Sequence, residues 1–331
     1  MSLLLPLLGA SPAWADGGTF WMPPQSSTFA ADVDFAFYFI YWVDLAFFIA
    51  LMGAMLLFAV KYRQRSPGQK TSNIKGSHSL ELAWAVLPSF LLVAFFWVGF
   101  KTYIDMVVPP ASSMLVRVQG QKWAWTYSYP DLGIESDVLV APAGTPVALN
   151  MSSVDVLHSF FVPDFRIKKD VLPNRYTMQW FEAPEAGEHQ VFCTEYCGTG
   201  HSKMLSKVKV LPQQEFDAWV AAQKAEAGAD PSQMTSVERG AKLFKVNACS
   251  GCHSIDGSKI VGPSLKGVYN RATSWEGGAS GPADDNYLRE SIMVPGAKLV
   301  AGYPPVMPSF QGKLTDAEIN DILDYLKSIS Q

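Results

Sequence analysis

Four side chains that can bind soft metal ions lie within a stretch of twelve residues. They are Cys193, Cys197, His201 and Met204, and one further histidine, His158, precedes them. A mononuclear blue-copper site uses one cysteine, two histidines and a weakly bound methionine. The second cysteine changes that chemistry, because two thiolates can bridge two metal ions. The spacing therefore predicts a dinuclear copper site, and a disulfide beside a packed methionine is the simpler alternative.

The other two cysteines, Cys249 and Cys252, form a separate cluster with His253 directly after them. Cys-x-x-Cys-His is the attachment pattern of a c-type haem, in which both thiols bond to the porphyrin and the histidine binds the iron. A methionine on the opposite side of the iron raises its reduction potential. Met307, in a proline-rich segment near the C-terminus, is the preferred candidate, and Met293 is the alternative. A zinc site or a thiol redox motif would not need the adjacent histidine.

Two long apolar stretches in the first third of the chain could anchor these sites in a membrane. They cover residues 35–60 and 82–104, and each is close to the ~20 residues that a helix needs to cross a bilayer. The pattern predicts a transmembrane helical hairpin within residues 16–112. Residues 1–15 contain an apolar run, end in Ala-Trp-Ala and predict a secretory signal peptide.

The charges beside these stretches predict how the hairpin is oriented. Residues 61–80 of the connecting loop hold five basic residues and no acid, whereas residues 16–34 hold three aspartates and no base. By the positive-inside rule the loop lies in the cytoplasm. The N-terminus and both metal-binding regions would then lie on the periplasmic or extracellular side of a bacterial inner membrane.

The region around the first metal-binding cluster predicts a β domain. Residues 113–212 carry short β-branched or aromatic segments between Gly/Pro turns, which is typical of an antiparallel sandwich or barrel. Within it we expect Trp125 and Tyr127 to pack in the interior and His189 to be an exposed strand residue. Residues 213–233 predict a short helix and a polar linker.

The last part of the chain, residues 234–331, predicts a small all-α domain. Ser236 would cap a helix that runs through Cys249, and Thr315–Ile329 would form the terminal helix. Few large apolar residues are present, so a self-sufficient core is not expected. The pattern favours a domain wrapped around a cofactor.

The copper-binding run resembles the loop of the dinuclear CuA centre in subunit II of cytochrome c oxidase. The loop of that family reads Cys-x-Glu-x-Cys-x-x-x-His-x-x-Met, and residues 193–204 fill every position. The resemblance extends over about residues 35–209 and implies a cupredoxin-like sandwich or barrel for residues 113–212. The copper ligands that it implies are His158, Cys193, Cys197, His201, Met204 and the backbone carbonyl of Glu195.

The resemblance also implies how these ligands are shared. The two cysteines would bridge both coppers, and His158 and Met204 would complete the coordination of one copper. His201 and the Glu195 carbonyl would complete the other. The Glu195 carboxylate would in addition reach a magnesium ion at the contact with the catalytic subunit.

Two further roles follow from the resemblance. Trp123, the first tryptophan of an aromatic segment, would receive electrons, and Glu81 would lie at the mouth of a proton pathway. For Glu81 an interfacial carboxylate that marks a helix end is the alternative. The chain departs from the family where Asn174 replaces a glycine, which we expect to keep a left-handed backbone. It also has Gln121-Lys122-Trp123 where the family has His-Gln-Trp.

Together these features resemble subunit II of a bacterial cytochrome c oxidase with a fused cytochrome c domain. The resemblance implies that electrons pass from haem c to CuA and on to the haems of the catalytic subunit, subunit I, which reduces oxygen to water and pumps protons. Subunit III, the lipid bilayer, and a quinol–cytochrome c reductase-type complex or cytochrome c as donor are the other implied partners. A nitric oxide reductase subunit and a stand-alone membrane electron carrier are the alternatives.

The charge of the chain fits this interpretation. A formal net charge of −4 gives no general basic field, so nucleic acid is not expected as a partner. From Ser236 onward ten basic and ten acidic residues cancel. A neutral domain gains little from electrostatic steering, whereas a short tether supplies an effective concentration in the millimolar range. We therefore expect the haem to deliver electrons to the neighbouring copper site.

Overall fold

A computed structural model describes residues 18–19, 21–70, 73, 75–228 and 233–330. The predicted signal peptide, residues 1–15, lies outside the described residues. The chain divides after Val108 into two compact units. The first holds two long helices, and the second holds a β-sandwich followed by a smaller, mainly helical domain.

The first unit contains helices α1 (Ala30–Lys61) and α2 (His78–Val107). Among the described residues these two helices are long and apolar enough to cross a membrane, with mean hydropathies of 2.4 and 2.1 over their most apolar windows. The rings of Phe39 and Phe95 meet edge to face between the helices, with centroids 5.4 Å apart. Most other large apolar side chains of the two helices are exposed, as expected for surfaces that face lipid or a partner helix. Both helices extend a few residues beyond the predicted stretches.

The β-sandwich consists, in the described chain, of two five-stranded sheets with the orders β3-β2-β1-β5-β8 and β4-β10-β9-β6-β7. Its strands are β1 (Met114–Gln121), β2 (Ala124–Tyr129), β3 (Ile134–Ser136), β4 (Leu139–Pro142), β5 (Val147–Ser153), β6 (His158–Val162), β7 (Ile167–Val171), β8 (Thr177–Phe181), β9 (Gly187–Cys193) and β10 (Leu205–Leu211). Most neighbours are antiparallel, as predicted, but β1/β5 and β4/β10 are parallel. Parallel neighbours need a long connection, and several strands intervene in the chain between the members of each pair.

Alternating side chains of each strand fill the interior of the sandwich. In β2 every second residue is buried, and Trp125, Tyr127 and Tyr129 point inward, which confirms the predicted packing role of the first two. The largest fully buried side chains of the sandwich are Tyr127, Tyr129, Phe160, Phe165, Phe181, Leu139, Leu149, Met151, Ile167, Met204 and His158. Asn174 has a φ of 56°, so the expected left-handed backbone at this position is confirmed.

A helix joins the sandwich to the last domain. Helix α3 (Gln213–Gly228) follows β10, and its Trp219 packs against the Tyr129 ring at a centroid distance of 5.4 Å. The helix therefore rests on the sandwich through aromatic contacts.

The last domain contains helices α4 (Ser236–Val246), α5 (Asp285–Met293) and α6 (Asp316–Ser328), and an antiparallel ribbon of β11 (Ala272–Ser274) and β12 (Ser280–Pro282). The predicted cap of α4 is wrong by one residue, because Thr235 and Glu238 form a reciprocal capping box. The helix ends before Cys249 because Ala248 has a left-handed backbone, with φ 54°. Thr315 caps the predicted terminal helix in the same reciprocal way.

The two terminal helices of this domain cross in close contact. A Cβ atom on Gly240 of α4 would lie 2.0 Å from the Asp321 carbonyl oxygen of α6, so only glycine permits this approach. Arg239 donates from both Nε and Nη2 to the Asp321 carboxylate at 2.8 and 2.7 Å. The apolar cluster around the crossing is small, and its buried members are Phe244, Leu265, Val268, Ala283, Tyr287, Leu288, Ile319, Ile322, Leu323 and Leu326.

Candidate copper and haem sites

The sandwich brings the sulfur atoms of the first cluster together at one end of β6, β9 and β10. Cys193 ends β9, and Met204 directly precedes β10, so the intervening loop returns over the end of the sheet. All four cysteines of the chain are described and are free thiols. The Sγ atoms of Cys193 and Cys197 are 3.8 Å apart, and the Met204 Sδ lies 3.8 Å from Cys197 Sγ.

The nitrogen and carbonyl donors converge on the same two sulfurs. His158 opens β6, and its Nδ1 lies 3.9 Å from Cys193 Sγ. His201 Nδ1 lies 3.4 Å from Cys197 Sγ, and the Glu195 carbonyl oxygen lies 3.4 Å from Cys193 Sγ. The ligand atoms of His158, Cys193 and Cys197 all lie within 4.8 Å of one another. Two thiolates, two imidazoles, a thioether and a carbonyl suit copper, so the donor set fits a dinuclear copper centre.

The two thiols differ in acidity because they share one buried space. Burial acts to raise the pKa of Cys193, but hydrogen bonds with His158 and the backbone lower it to about 6. Burial and the neighbouring Cys193 raise the pKa of Cys197. Protein groups thus stabilise the negative charge of the Cys193 thiolate, whereas the Cys197 thiolate requires a nearby cation.

Trp123 packs directly on the copper-binding loop. Its indole Nε1 donates to the Cys197 carbonyl at 3.1 Å, and the side chain is buried. A Cβ atom on Gly200 would lie 2.4 Å from the Trp123 ring, and one on Gly198 would lie 3.2 Å from it. The two glycines let the indole lie against the backbone of the loop.

His189 differs from the prediction. It is buried, with 9% of its surface exposed, rather than an exposed strand residue. Its Nδ1 is 3.0 Å from Asp164 Oδ2, and its ring packs on Phe165 with a centroid distance of 4.5 Å. The Asp164 carboxylate lies 25 residues away in the chain, so no local pattern indicated the pair.

The second cluster forms a short turn at the edge of a cavity. Cys249–Gly251 is a 3₁₀ turn, and His253 follows it. The His253 Nδ1–H donates to the Pro263 carbonyl at 2.9 Å, which leaves Nε2 as the nitrogen available to a metal. Burial lowers the pKa of His253, so the imidazole is neutral, as iron binding requires. A Cβ atom on Gly262 would lie 2.6 Å from the His253 ring.

The cavity has a volume of about 1090 Å³ and is lined by both thiols, His253 and Met307. Met293, the alternative iron ligand, packs instead against the apolar cluster of the domain. The volume, the two free thiols and the oriented histidine fit a covalently attached haem. The arrangement favours Met307 as the second axial candidate.

The haem-attachment turn lies against the sandwich, within the same compact unit. A Cβ atom on Gly251 would lie 2.9 Å from the Ala124 Cβ and 3.5 Å from the Trp123 carbonyl oxygen. Burial raises the pKa of the Cys252 thiol, and the Trp123 backbone acts in the opposite direction. Lys203 Nζ of the copper-binding loop donates to the Lys259 carbonyl at 3.2 Å. The two predicted redox sites therefore meet at the segment that carries Trp123.

Three protein families match successive parts of the chain. Residues 14–101 match the transmembrane domain of cytochrome c oxidase subunit II, residues 132–211 match its periplasmic domain, and residues 237–330 match cytochrome c. A cytochrome c oxidase subunit 2 from Thermostichus vulcanus is 30% identical over 256 residues, which cover 60% of this chain and 77% of the relative. The chain belongs to the cytochrome c oxidase subunit II family.

Two further proteins are similar to this chain. The cytochrome c oxidase subunit 2 of Alkalihalophilus pseudofirmus is 28% identical over 295 residues, which cover 85% of this chain and 82% of the relative. The periplasmic domain of subunit II of cytochrome oxidase from Bradyrhizobium japonicum is a similar solved structure, with 27% identity and a TM-score of 0.35, and it covers 36% of this chain and 99% of that chain.

The family assignment settles the coarse function. The chain is a subunit of cytochrome c oxidase, an oxidoreductase, with a membrane anchor, periplasmic domains and a fused cytochrome c domain. The periplasmic subunit II domain implies copper of the CuA type, and the cytochrome c domain implies haem. Membership of the subunit II family implies association with the catalytic subunit. The relatives carry the name of cytochrome c oxidase, which disfavours the nitric oxide reductase and stand-alone carrier alternatives.

Glu81 lies in the first turn of α2, as the subunit II resemblance led us to expect. Its side chain is about half exposed, and its Oε2 lies 3.3 Å from the Nδ1 of His78. His78 is fully exposed.

Proposed function

We propose that electrons enter the oxidase at the haem c of this chain and pass to its dinuclear copper centre and then to the haems of the catalytic subunit, where oxygen is reduced to water. The haem would be held by Cys249, Cys252, His253 and Met307. The copper pair would be held by His158, Cys193, Cys197, His201, Met204 and the Glu195 carbonyl. The observation that carries the proposal is the contact between the haem-attachment turn and the Trp123 segment.

The contact supports a short connection between the sites. On one side the Trp123 backbone lies against the turn that carries the two haem-attachment thiols, since a Cβ atom on Gly251 would be 3.5 Å from the Trp123 carbonyl oxygen. On the other side the Trp123 indole donates to the carbonyl of Cys197 at 3.1 Å. One buried residue thus contacts both clusters, and Trp123 is the residue to which we assign the electronic connection.

The protein groups around the copper ligands have two tasks. They keep water away, since Cys193, Cys197, Met204 and His158 are buried. They also hold the ligands in place on the ends of strands before a metal binds, which reduces the rearrangement on loading. A copper pair held by these residues would supply one-electron transfer.

Further parts of the proposal concern the membrane and the partners. The five basic residues within residues 61–80 support a cytoplasmic loop and periplasmic redox domains at a bacterial inner membrane. Glu81 is proposed at the mouth of a proton pathway for the pumping subunit, and Glu195 as a ligand of an interfacial magnesium ion. Subunit III and a quinol–cytochrome c reductase-type complex or cytochrome c as donor complete the proposed assembly.

The test is the rate of electron transfer between the two sites in the purified oxidase complex. The haem c is reduced by a light-activated donor, and the copper absorbance is followed. Trp123→Phe removes the hydrogen bond to Cys197 and should slow the transfer several-fold. Trp219→Phe is the matched control, because that tryptophan packs on the rings of Tyr129 on strand β2 and Phe216 on helix α3.

Two outcomes would contradict the proposal. An unchanged rate in Trp123→Phe would remove Trp123 from the route. A copper centre that is reduced at the normal rate in a complex lacking haem c would show that electrons do not enter at this haem.

A further inference from the structure

The two carboxylate oxygens of Asp155 contact different parts of the sandwich. It lies in the loop between β5 and β6, and its side chain is 28% exposed. Oδ1 is 2.9 Å from the Nε2 of His158 and accepts from the Val156 backbone N–H at 2.6 Å. Oδ2 accepts from the Lys122 backbone N–H at 2.8 Å. Both oxygens of the Asp155 carboxylate therefore accept hydrogen bonds from backbone N–H groups.

The contact with His158 determines which nitrogen of the ring faces the sulfurs. A carboxylate accepts only, so the Nε2 of His158 carries the proton, and Nδ1 presents its lone pair toward Cys193. The ring itself cannot turn easily. It is fully buried, and a Cβ atom on Gly120 would lie 3.1 Å from it.

The contact with Lys122 fixes the start of the segment that meets the haem domain. Lys122 follows the last residue of β1 and directly precedes Trp123. The second anchor of this segment is the indole of Trp123 on the Cys197 carbonyl. One carboxylate is therefore bonded both to a predicted copper ligand and to the backbone that leads to the contact between the domains.

We propose that Asp155 is a positioning residue that orients His158 toward the copper centre and holds the Trp123 segment at a fixed distance from it. The inference rests on the proposed function, because it takes His158 as a copper ligand. A carboxylate behind a ligand histidine also increases the basicity of the imidazole. This favours the oxidised centre, so Asp155 lowers the reduction potential of the copper pair.

An amide at this position cannot replace the carboxylate. Asn has the same shape but one oxygen acceptor and one NH₂ donor, whereas His158 and Lys122 both offer a proton from opposite sides. One of the two must then face the NH₂ group without an acceptor. Asp170→Asn is the matched control, because the Asp170 carboxylate accepts from Ser159 on the neighbouring strand β6 and from Lys168 on its own strand β7, and neither bond involves the His158 ring.

The experiment compares Asp155→Asn, Asp170→Asn and the wild type as full chains in the purified complex. A spectroelectrochemical titration gives the copper potential, and hydrogen exchange with mass spectrometry gives the protection of the Lys122 amide. For Asp155→Asn we expect a more positive potential, copper binding weaker by about 10–100-fold, and exchange at Lys122 faster by about tenfold. For Asp170→Asn we expect neither change.

The proposal is wrong if Asp155→Asn keeps the wild-type potential and exchange, or if Asp170→Asn shifts both equally. Should Asp155→Asn bind too little copper to titrate, the exchange rate at Lys122 decides, since it needs no metal. If the purified wild-type complex contained no copper, the proposed function would be refuted. Hydrogen exchange at the Lys122 amide would then be the remaining test of the role of Asp155.

Discussion

The sandwich and the haem domain hold their cofactors in opposite ways. The copper ligands lie at one end of a sandwich whose interior is filled by its own aromatic and aliphatic side chains. The ligands of the haem surround a cavity of about 1090 Å³, beside a small apolar cluster. A copper pair would thus be added to a complete fold, whereas a porphyrin would fill the cavity of its domain. Loss of the cofactor should therefore have different consequences in the two domains.

The largest expected effect is loss of the folded haem domain in the double variant Cys249→Ala/Cys252→Ala. Without attached porphyrin the cavity stays unfilled, and at ~24 cal/mol per Å³ even a quarter of its volume would cost roughly 6 kcal/mol. That is comparable with the ~5–15 kcal/mol that stabilise a domain of ordinary size. Limited proteolysis followed by mass spectrometry should show cleavage within residues 234–331 and an intact sandwich.

Removal of copper from the wild type by a chelator is the matched comparison. We expect no new cleavage in either domain, because the sandwich core does not include the metal. Digestion of the sandwich after copper removal would show that the sandwich also depends on its cofactor. Resistance of the haem domain to digestion without haem would show that this domain folds without its cofactor.

A smaller effect, limited to one cofactor, is expected for Cys197→Ser. Serine lacks the soft sulfur that bridges the two metals, so the paramagnetic resonance signal of the mixed-valence copper pair should disappear. The haem absorption spectrum should be unchanged. We expect the free energy of unfolding of the sandwich to fall by at most about 1–2 kcal/mol. A persisting mixed-valence signal would show that Cys197 is not a bridging ligand.

The sequence was most informative where the chemistry is local. Cys193 to Met204 and Cys249 to His253 are short runs whose spacing alone indicated two sites, and the structure brings the members of each run together. His158 was a candidate because a blue-copper site needs a second histidine, and the resemblance to subunit II then assigned it to one of the two coppers. Alternation of apolar residues indicated the sandwich, and two long apolar runs indicated the membrane helices.

The sequence was least informative where a contact joins distant segments. His189 is buried because the carboxylate of Asp164, on another element, provides its partner. The role of Asp155 depends on Lys122, 33 residues away, and no pattern within either segment indicates it. The parallel pairing of β1 with β5 likewise depends on the order of strands in the sheet, which short-range periodicity does not encode.

The finest distinction within the haem domain is which methionine binds the iron. Met307 lines the cavity together with His253, whereas Met293, at the end of α5, packs on the apolar cluster. Met307→Ala should therefore abolish the methionine-to-iron charge-transfer band and lower the haem potential, since a thioether ligand raises it. Met293→Ala removes a similar side chain from the same domain and should keep the band while lowering stability by about 2–5 kcal/mol at most. The opposite pattern would assign the iron to Met293. It would also mean that the cavity wall rearranges when the porphyrin binds. The structure of the haem domain would then depend on its cofactor even more strongly than the contrast with the sandwich indicates.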